Sequence, residues 1–281
     1  ADAPIVFDHV RGNYMENAYD FYKPDFTSEY PVVDGHYSLS CYVKALDFAY
    51  KSYSKKAVAN GLVEKPISDE CCGILNHFDY NIFHVPTCKL VSKSYARLLY
   101  NDFKHDTTGT VLPELNQEFK TMSDEESLKN KDLERQSVKL AKPYFDERVA
   151  LSLTGPTNIG NMYTGSVYSS LCSLLEFVGN EKLQGKRVGM FSYGSGLAAS
   201  LFSFTVEGDL TNIISKLNLS EKLDARIGVS PTEYEAALKL REDLHLQKDI
   251  SPKGSIEHLT SGTYYLTKID DKWRREYSIK E

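Results

Sequence analysis

The chain is 281 residues long, 41% hydrophobic and 26% charged, with a formal net charge of −6. That is enough apolar material for one large domain or two small ones with a sizeable core. The acidic balance excludes a global nucleic-acid footprint, so an anionic ligand must be met by a local basic cluster. No apolar run approaches the roughly 20 residues that span a bilayer. The cysteines, Cys41, Cys71, Cys72, Cys88 and Cys172, are odd in number and form no C-x-x-C pair. This pattern fits free thiols in a reducing compartment better than a disulfide framework.

In chain order, Ala1–Phe7 enters a β-like run without a start methionine and reads as the middle of a domain, so a fragment or processed half is expected. Residues through 37, rich in Tyr, Asp and Pro, read as ordered irregular structure with turn chemistry. Residues 38–55 carry Leu39, Tyr42, Val43, Leu46, Tyr50 and Tyr53 at helical spacing. Phe78–Val85 reads as a buried strand stopped by Pro86, after which Thr87-Cys88-Lys89 opens a helix reaching about Phe103. Residues 104–148 are polar, and read as a surface insertion of one or two helices without a usable motif. Val149–Leu153 is expected as a short strand, Thr154–Gly160 as a loop and Asn161–Val178 as a helix. Lys186–Ser192 and Leu201–Val206 are expected strands around the glycine-rich turn Tyr193–Gly196. Ser230-Pro231-Thr232-Glu233 is a capping box opening a helix through Leu244, and Tyr264–Ile269 with Trp273–Ile279 reads as a hairpin. Strands alternating with helices argue for a layered α/β fold.

Four features could carry chemistry, and each has a plainer reading. His84 ends a strand, where ligand crevices form in α/β sheets and where an imidazole could exchange a proton near neutral pH; it is also what a backbone-bonded core histidine looks like. Lys89, Lys93 and Arg97 follow at i, i+4 and i+8 near a helix N-terminus. They suit a phosphate clamp or a solvated helix face. Asn161, in the run Asn158–Thr164, suits a substrate hydrogen bond or an N-cap. Phe191–Gly196 places Ser195 between Gly194 and Gly196, which exposes backbone N–H groups or simply makes a turn. It is neither a Walker loop nor G-x-S-x-G. The carboxylates Asp8, Asp20, Asp25, Glu29 and Asp34 lack metal-ligand spacing.

Taken together, AYDFYKPDFTSEYPVVDG (18–35), FHVPTCKLVSKS (83–94), GNMYTGSVY (160–168), GKRVGMFSYGSGLAASL (185–201), LKLREDLH (238–245) and GSIEHLTSGTYYL (254–266) resemble the HMG-CoA synthases, fungal ones especially. The likeness covers almost the whole chain and weakens at about 104–148, the variable helical insertion. It implies the C-terminal half of a thiolase-like α-β-α-β-α fold. It implies a transferase of the mevalonate and sterol pathway that condenses acetyl-CoA with acetoacetyl-CoA to HMG-CoA, through an acetylated cysteine and a glutamate base, with no cofactor beyond these substrates. The resemblance assigns His84 to proton exchange with the acetoacetyl group, and Lys89 and Lys93 to contacts with the CoA portion or the acyl chain. It gives Asn161 a substrate hydrogen bond, Ser195 the thioester pocket and Tyr163 a wall of that pocket; Arg97 receives no role from it. The nucleophilic cysteine and the base belong to an N-terminal half whose motifs this chain lacks, so the chain alone is expected to be inactive. A homodimer of the complete enzyme and a cytoplasmic location, with no nucleic-acid or membrane partner, complete the expectation. The competing reading is a non-catalytic CoA-ester-binding or assembly module.

Overall fold

A computed structural model describes residues 3–281. The chain divides into two compact units. One takes the chain up to Tyr22 together with Val32–Arg226, and the other takes Lys23–Pro31 and Ile227–Glu281.

The larger unit begins with strand β1 (Ile5–Met15), the two-residue pair β2 (Phe21–Tyr22) and β3 (Val32–Val33), and helix α1 (Gly35–Ala59). Helix α2 (Ile74–His77), strand β4 (Tyr80–Phe83) and helix α3 (Cys88–His105) follow, then α4 (Asp124–Lys129), α5 (Lys131–Arg148), α6 (Thr154–Ile159), α7 (Ser166–Val178) and α8 (Asn180–Leu183). Strands β5 (Arg187–Gly194) and β6 (Ala198–Val206) and helices α9 (Thr211–Leu217) and α10 (Leu219–Asp224) complete it. The sheet order is β1-β6-β5-β4, antiparallel except for the β5–β4 pair, where Phe83 stands opposite Phe191.

Side-chain alternation along these strands builds two cores, one on each face of the sheet. Phe83, Phe191, Tyr193 and Leu201 join α1 and α3; Ile82, Val188, Met190, Phe204 and Val206 join α7. The result is a helix–sheet–helix stack. Helix α1 starts where the Asp34 carboxylate accepts a hydrogen bond from the Tyr37 N–H at 3.0 Å, an N-cap. Its stripe Tyr42, Leu46, Ala49, Tyr50 and Tyr53 is buried. It lies so close to β1 that a Cβ on Gly12 would sit 2.1 Å from the Ala49 carbonyl oxygen, so only glycine fits there. Leu39, expected in that stripe, is 46% exposed.

Three expectations change. The irregular structure expected before residue 37 is in its first part an eleven-residue strand, β1. Its register shifts between Phe7 and Arg11, and that irregularity blurs the period-two signal. The strand expected at Val149–Leu153 is a 3-10 turn, Ala150–Leu153, closed by the Ser152 hydroxyl on the Val149 carbonyl at 2.7 Å. The loop expected at Thr154–Gly160 is α6. A short apolar run does not separate a strand from a buried helical turn. Within 104–148, α5 packs along α3 and buries Leu133 and Ala141.

The smaller unit holds α11 (Pro231–Asp243) and the antiparallel hairpin β7 (Tyr264–Ile269) with β8 (Arg275–Ile279). The Ser230–Glu233 capping box forms, with hydrogen bonds in both directions. Asp270 turns the hairpin by accepting from the N–H groups of Lys272 and Arg274, each at 2.9 Å. No residue of this unit is buried. Among the described residues, no helix is long and apolar enough to cross a membrane.

Candidate active site

Strand β4 delivers His84 to the C-terminal end of the parallel β4–β5 pair, where crevices open in α/β sheets. The His84 N–H continues the ladder to the Phe191 carbonyl at 2.8 Å. Pro86 then ends the strand direction, and the Thr87 hydroxyl caps α3 by accepting from the Leu90 N–H at 3.2 Å. A cavity of about 310 Å³ opens at this point. His84, Asn161, Tyr163 and Ser195 all line it, with Phe21, Leu39, Tyr42, Leu90 and Tyr193 among the other walls.

His84 is 8% exposed, and burial alone holds its imidazole below the ordinary histidine range. The ring is therefore neutral at neutral pH. Among the described residues neither ring nitrogen has a hydrogen-bond partner. The ring lies 6.3 Å from that of Tyr193 and 6.4 Å from that of Tyr42. Asn161 is not an N-cap of α7. Its amide oxygen accepts from the Tyr163 N–H at 2.8 Å and the Ser166 hydroxyl at 3.1 Å, which leaves the NH₂ group to donate elsewhere. The turn it forms carries Tyr163 at φ +51°, with the Tyr163 ring edge-on to Phe21.

Ser195 sits in the β5–β6 turn, and Gly196 beside it has φ +115°, a conformation that glycine tolerates without strain. The turn is held by Asp20, which sequence reasoning set aside as a scattered carboxylate. Asp20 is fully buried and accepts from the Gly196 N–H at 3.1 Å and the Tyr193 hydroxyl at 3.3 Å. Burial raises its carboxyl, but hydrogen bonds from Ser195, Ser38 and Gly196 more than offset this and hold it below the usual carboxylate range. Its place beside the FYKP turn chemistry was the only sequence signal.

The lysines of the proposed clamp line a second cavity of about 430 Å³, which shares the walls Leu39 and Leu90 with the first. The i, i+4, i+8 trio does not act as one face. Arg97 is buried and gripped by Asp47, with contacts of 3.0, 3.0 and 2.6 Å, and it donates to the Ser127 hydroxyl at 2.8 Å. Asn101 satisfies the same carboxylate at 2.8 Å. Arg97 is thus a structural ion pair, which corrects its place in the clamp. Lys93 pairs with Glu134 of α5 at 2.9 Å, with both side chains partly exposed. Lys89 is exposed and has no carboxylate partner among the described residues, and the same holds for Lys131, which the sequence gave no reason to select.

None of the cysteines lines either cavity. Burial pushes the Cys41, Cys71 and Cys172 thiols up, and Cys72 up to about 12, so these sulfurs are held as thiols. The site thus offers a neutral imidazole, an amide donor, a glycine-bounded serine turn and a nearby lysine, and among the described residues no cysteine or carboxylate lines the His84 cavity.

The geometry is that of a layered α/β fold with a histidine at the end of the parallel strand pair and hydrogen-bond donors around it. Residues 5–280 match the family described as hydroxymethylglutaryl-coenzyme A synthase C terminal. The hydroxymethylglutaryl-CoA synthase of Saccharomyces cerevisiae is 61% identical over 280 residues, covering all of this chain and 57% of the relative. That of Schizosaccharomyces pombe is 52% identical, covering 99% of this chain and 61% of the relative. A solved structure of MvaS in complex with 3-hydroxy-3-methylglutaryl coenzyme A superposes with a TM-score of 0.76 at 32% identity, covering 99% of this chain and 58% of that one. The chain belongs to the hydroxymethylglutaryl-CoA synthase C-terminal family and has its thiolase-like fold. It spans about three fifths of the length of these relatives.

Proposed function

We propose that this chain is the part of a hydroxymethylglutaryl-CoA synthase that binds acetoacetyl-CoA and manages the proton at its ketone oxygen, within an enzyme that condenses acetyl-CoA with acetoacetyl-CoA. The observation that carries this reading is the convergence of His84, Asn161, Tyr163 and Ser195 on one cavity from three separate stretches of sequence. The solved structure of MvaS in complex with 3-hydroxy-3-methylglutaryl coenzyme A supports the ligand class.

In this reading the acetyl group is carried by a cysteine, and deprotonated by a glutamate, of the region that relatives have and this chain does not. The carbanion adds to the ketone carbon of acetoacetyl-CoA, and the carbonyl oxygen gathers the charge. The neutral His84 imidazole donates a hydrogen bond to that oxygen as the carbon–carbon bond forms, a role that suits a desolvated ring with free nitrogens. The proton that the glutamate took from the methyl group balances the one the alkoxide takes up to become the hydroxyl. The Asn161 NH₂ holds the thioester carbonyl, and the Ser195 turn and Tyr163 close the walls. Hydrolysis of the enzyme thioester then releases HMG-CoA. Lys89 attracts the CoA phosphates, and Lys93 joins it when released from Glu134. The five free cysteines support a cytoplasmic setting, and a homodimer of the complete enzyme is part of the same proposal.

The test is His84→Ala in the complete enzyme. Turnover should fall by about 10²-fold or more, as for loss of a general acid–base group, while acetylation by acetyl-CoA persists. Unchanged turnover would remove His84 from the mechanism. The isolated chain should give no condensation until the remaining region is supplied. Condensation by the chain alone would overturn the division of labour.

A further inference from the structure

His84 lacks the support that usually orients an acid–base histidine. In most such sites the second ring nitrogen is tied to a carboxylate or a carbonyl, which fixes tautomer and direction. Here no such partner exists among the described residues, so the ring must be aimed through its backbone and its neighbours. The His84 N–H is spent on Phe191, 2.8 Å away in the ladder. Strand β4 ends at Phe83, so the His84 carbonyl has no ladder donor. The Tyr42 hydroxyl of α1 takes that place, donating to the His84 carbonyl at 2.7 Å.

Tyr42 is 1% exposed, and burial keeps its phenol protonated and donating throughout the physiological range. Its ring lies 4.9 Å from the Tyr193 ring, which faces the imidazole, and 5.4 Å edge-on from Phe191. One side chain thus closes the open end of the strand and backs the aromatic wall on which the imidazole rests.

We infer that Tyr42 is a positioning residue for His84: its hydroxyl supplies the missing ladder donor at the end of β4, and so sets where the imidazole points in the cavity. This rests on the reading of His84 as the group that donates to the ketone oxygen. Without the hydroxyl the His84 carbonyl is buried unsatisfied, and the strand end shifts to relieve it. Displacement of a reacting group by even a fraction of an ångström lowers the rate of the chemical step more than ground-state binding.

The experiment is Tyr42→Phe in the complete enzyme, with Tyr53→Phe as its matched control. Tyr53 is an equally buried tyrosine of α1 whose hydroxyl bonds to His77 at 2.8 Å and Ser203 at 2.6 Å, away from the cavity. Tyr42→Phe should lower kcat at saturating acetyl-CoA by about tenfold, the rate equivalent of one lost buried hydrogen bond. The KM for acetoacetyl-CoA should stay within about twofold. Tyr53→Phe should cost similar thermal stability and leave kcat unchanged. A folded Tyr42→Phe enzyme with wild-type kcat overturns the inference, as does a change confined to KM or an equal loss of kcat in both variants. If His84→Ala abolishes turnover while Tyr42→Phe does not lower it, only the positioning role falls; if His84→Ala is active, the underlying reading falls with it.

Discussion

The two neighbouring cavities draw on the same helix, α3, and on residues a few positions apart, yet they treat their polar groups in opposite ways. In the His84 cavity the important groups have no partner among the described residues: both imidazole nitrogens, and the Asn161 amide donors. In the lysine cavity the protein spends two of the four cations on itself, with Arg97 on Asp47 and Lys93 on Glu134. An uncharged group can wait unpartnered in a half-dry cavity at modest cost, whereas a buried guanidinium cannot. A desolvated neutral site can therefore be preassembled, but a charged clamp can stand ready only at the exposed mouth, as Lys89 does.

The comparison breaks most sharply at Arg97. Arg97→Met should destabilise the chain by about 3–5 kcal/mol, because it strands the Asp47 carboxylate in the core with Asn101 as its remaining donor. Urea unfolding reads that loss, and affinity for CoA should stay unchanged in the variant that remains folded. A stable variant that binds CoA poorly would return Arg97 to the clamp. The pH dependence of turnover follows next in size. Burial lowers the pKa of His84, so the folded site resists protonation, and activity that needs the neutral ring persists below the ordinary histidine value of about 6.5. The acid limb of kcat should have its midpoint below that value and fall about tenfold per pH unit beneath it. A midpoint above it would show an imidazole stabilised as a cation, which no group in the cavity wall provides.

How much of this could be read from the chain differs between the two cavities for a physical reason. The β4–His84–α3 passage was legible because its signals are local: a buried run, Pro86 as a stop and Thr87 as a cap. The turn holding Ser195 was legible from Gly194 and Gly196. That these residues share a cavity depends on β4 lying parallel beside β5 in a fixed register, a long-range pairing that spacing does not encode, and it entered through the likeness to a known family. Arg97 was misassigned because its partner Asp47 is far away in sequence on α1, and i, i+4, i+8 spacing says nothing about what faces the helix. Asp20 was passed over because a lone carboxylate gains its meaning only when the Ser195 turn folds onto it. The run 149–160 misled because a short apolar stretch suits a buried helical turn as well as a strand.

The exposed side of the comparison is sharpened by Lys89 and Glu134. Lys89→Ala should raise KM for the CoA ester about fivefold to tenfold with kcat nearly unchanged, up to about 1.4 kcal/mol of attraction. The effect should shrink at high salt, as expected for an exposed charge facing phosphates. Glu134→Gln should have the smallest effect and the opposite sign. The Lys93–Glu134 pair is partly exposed and worth about 0.2–1 kcal/mol, so releasing Lys93 should lower KM about twofold to threefold. The gain should vanish in the Lys93→Ala, Glu134→Gln double variant, because the carboxylate acts by occupying Lys93. If Glu134→Gln instead raised KM, the carboxylate would be shaping the cavity rather than masking its cation. The lysine cavity would then be preassembled, as the histidine cavity is.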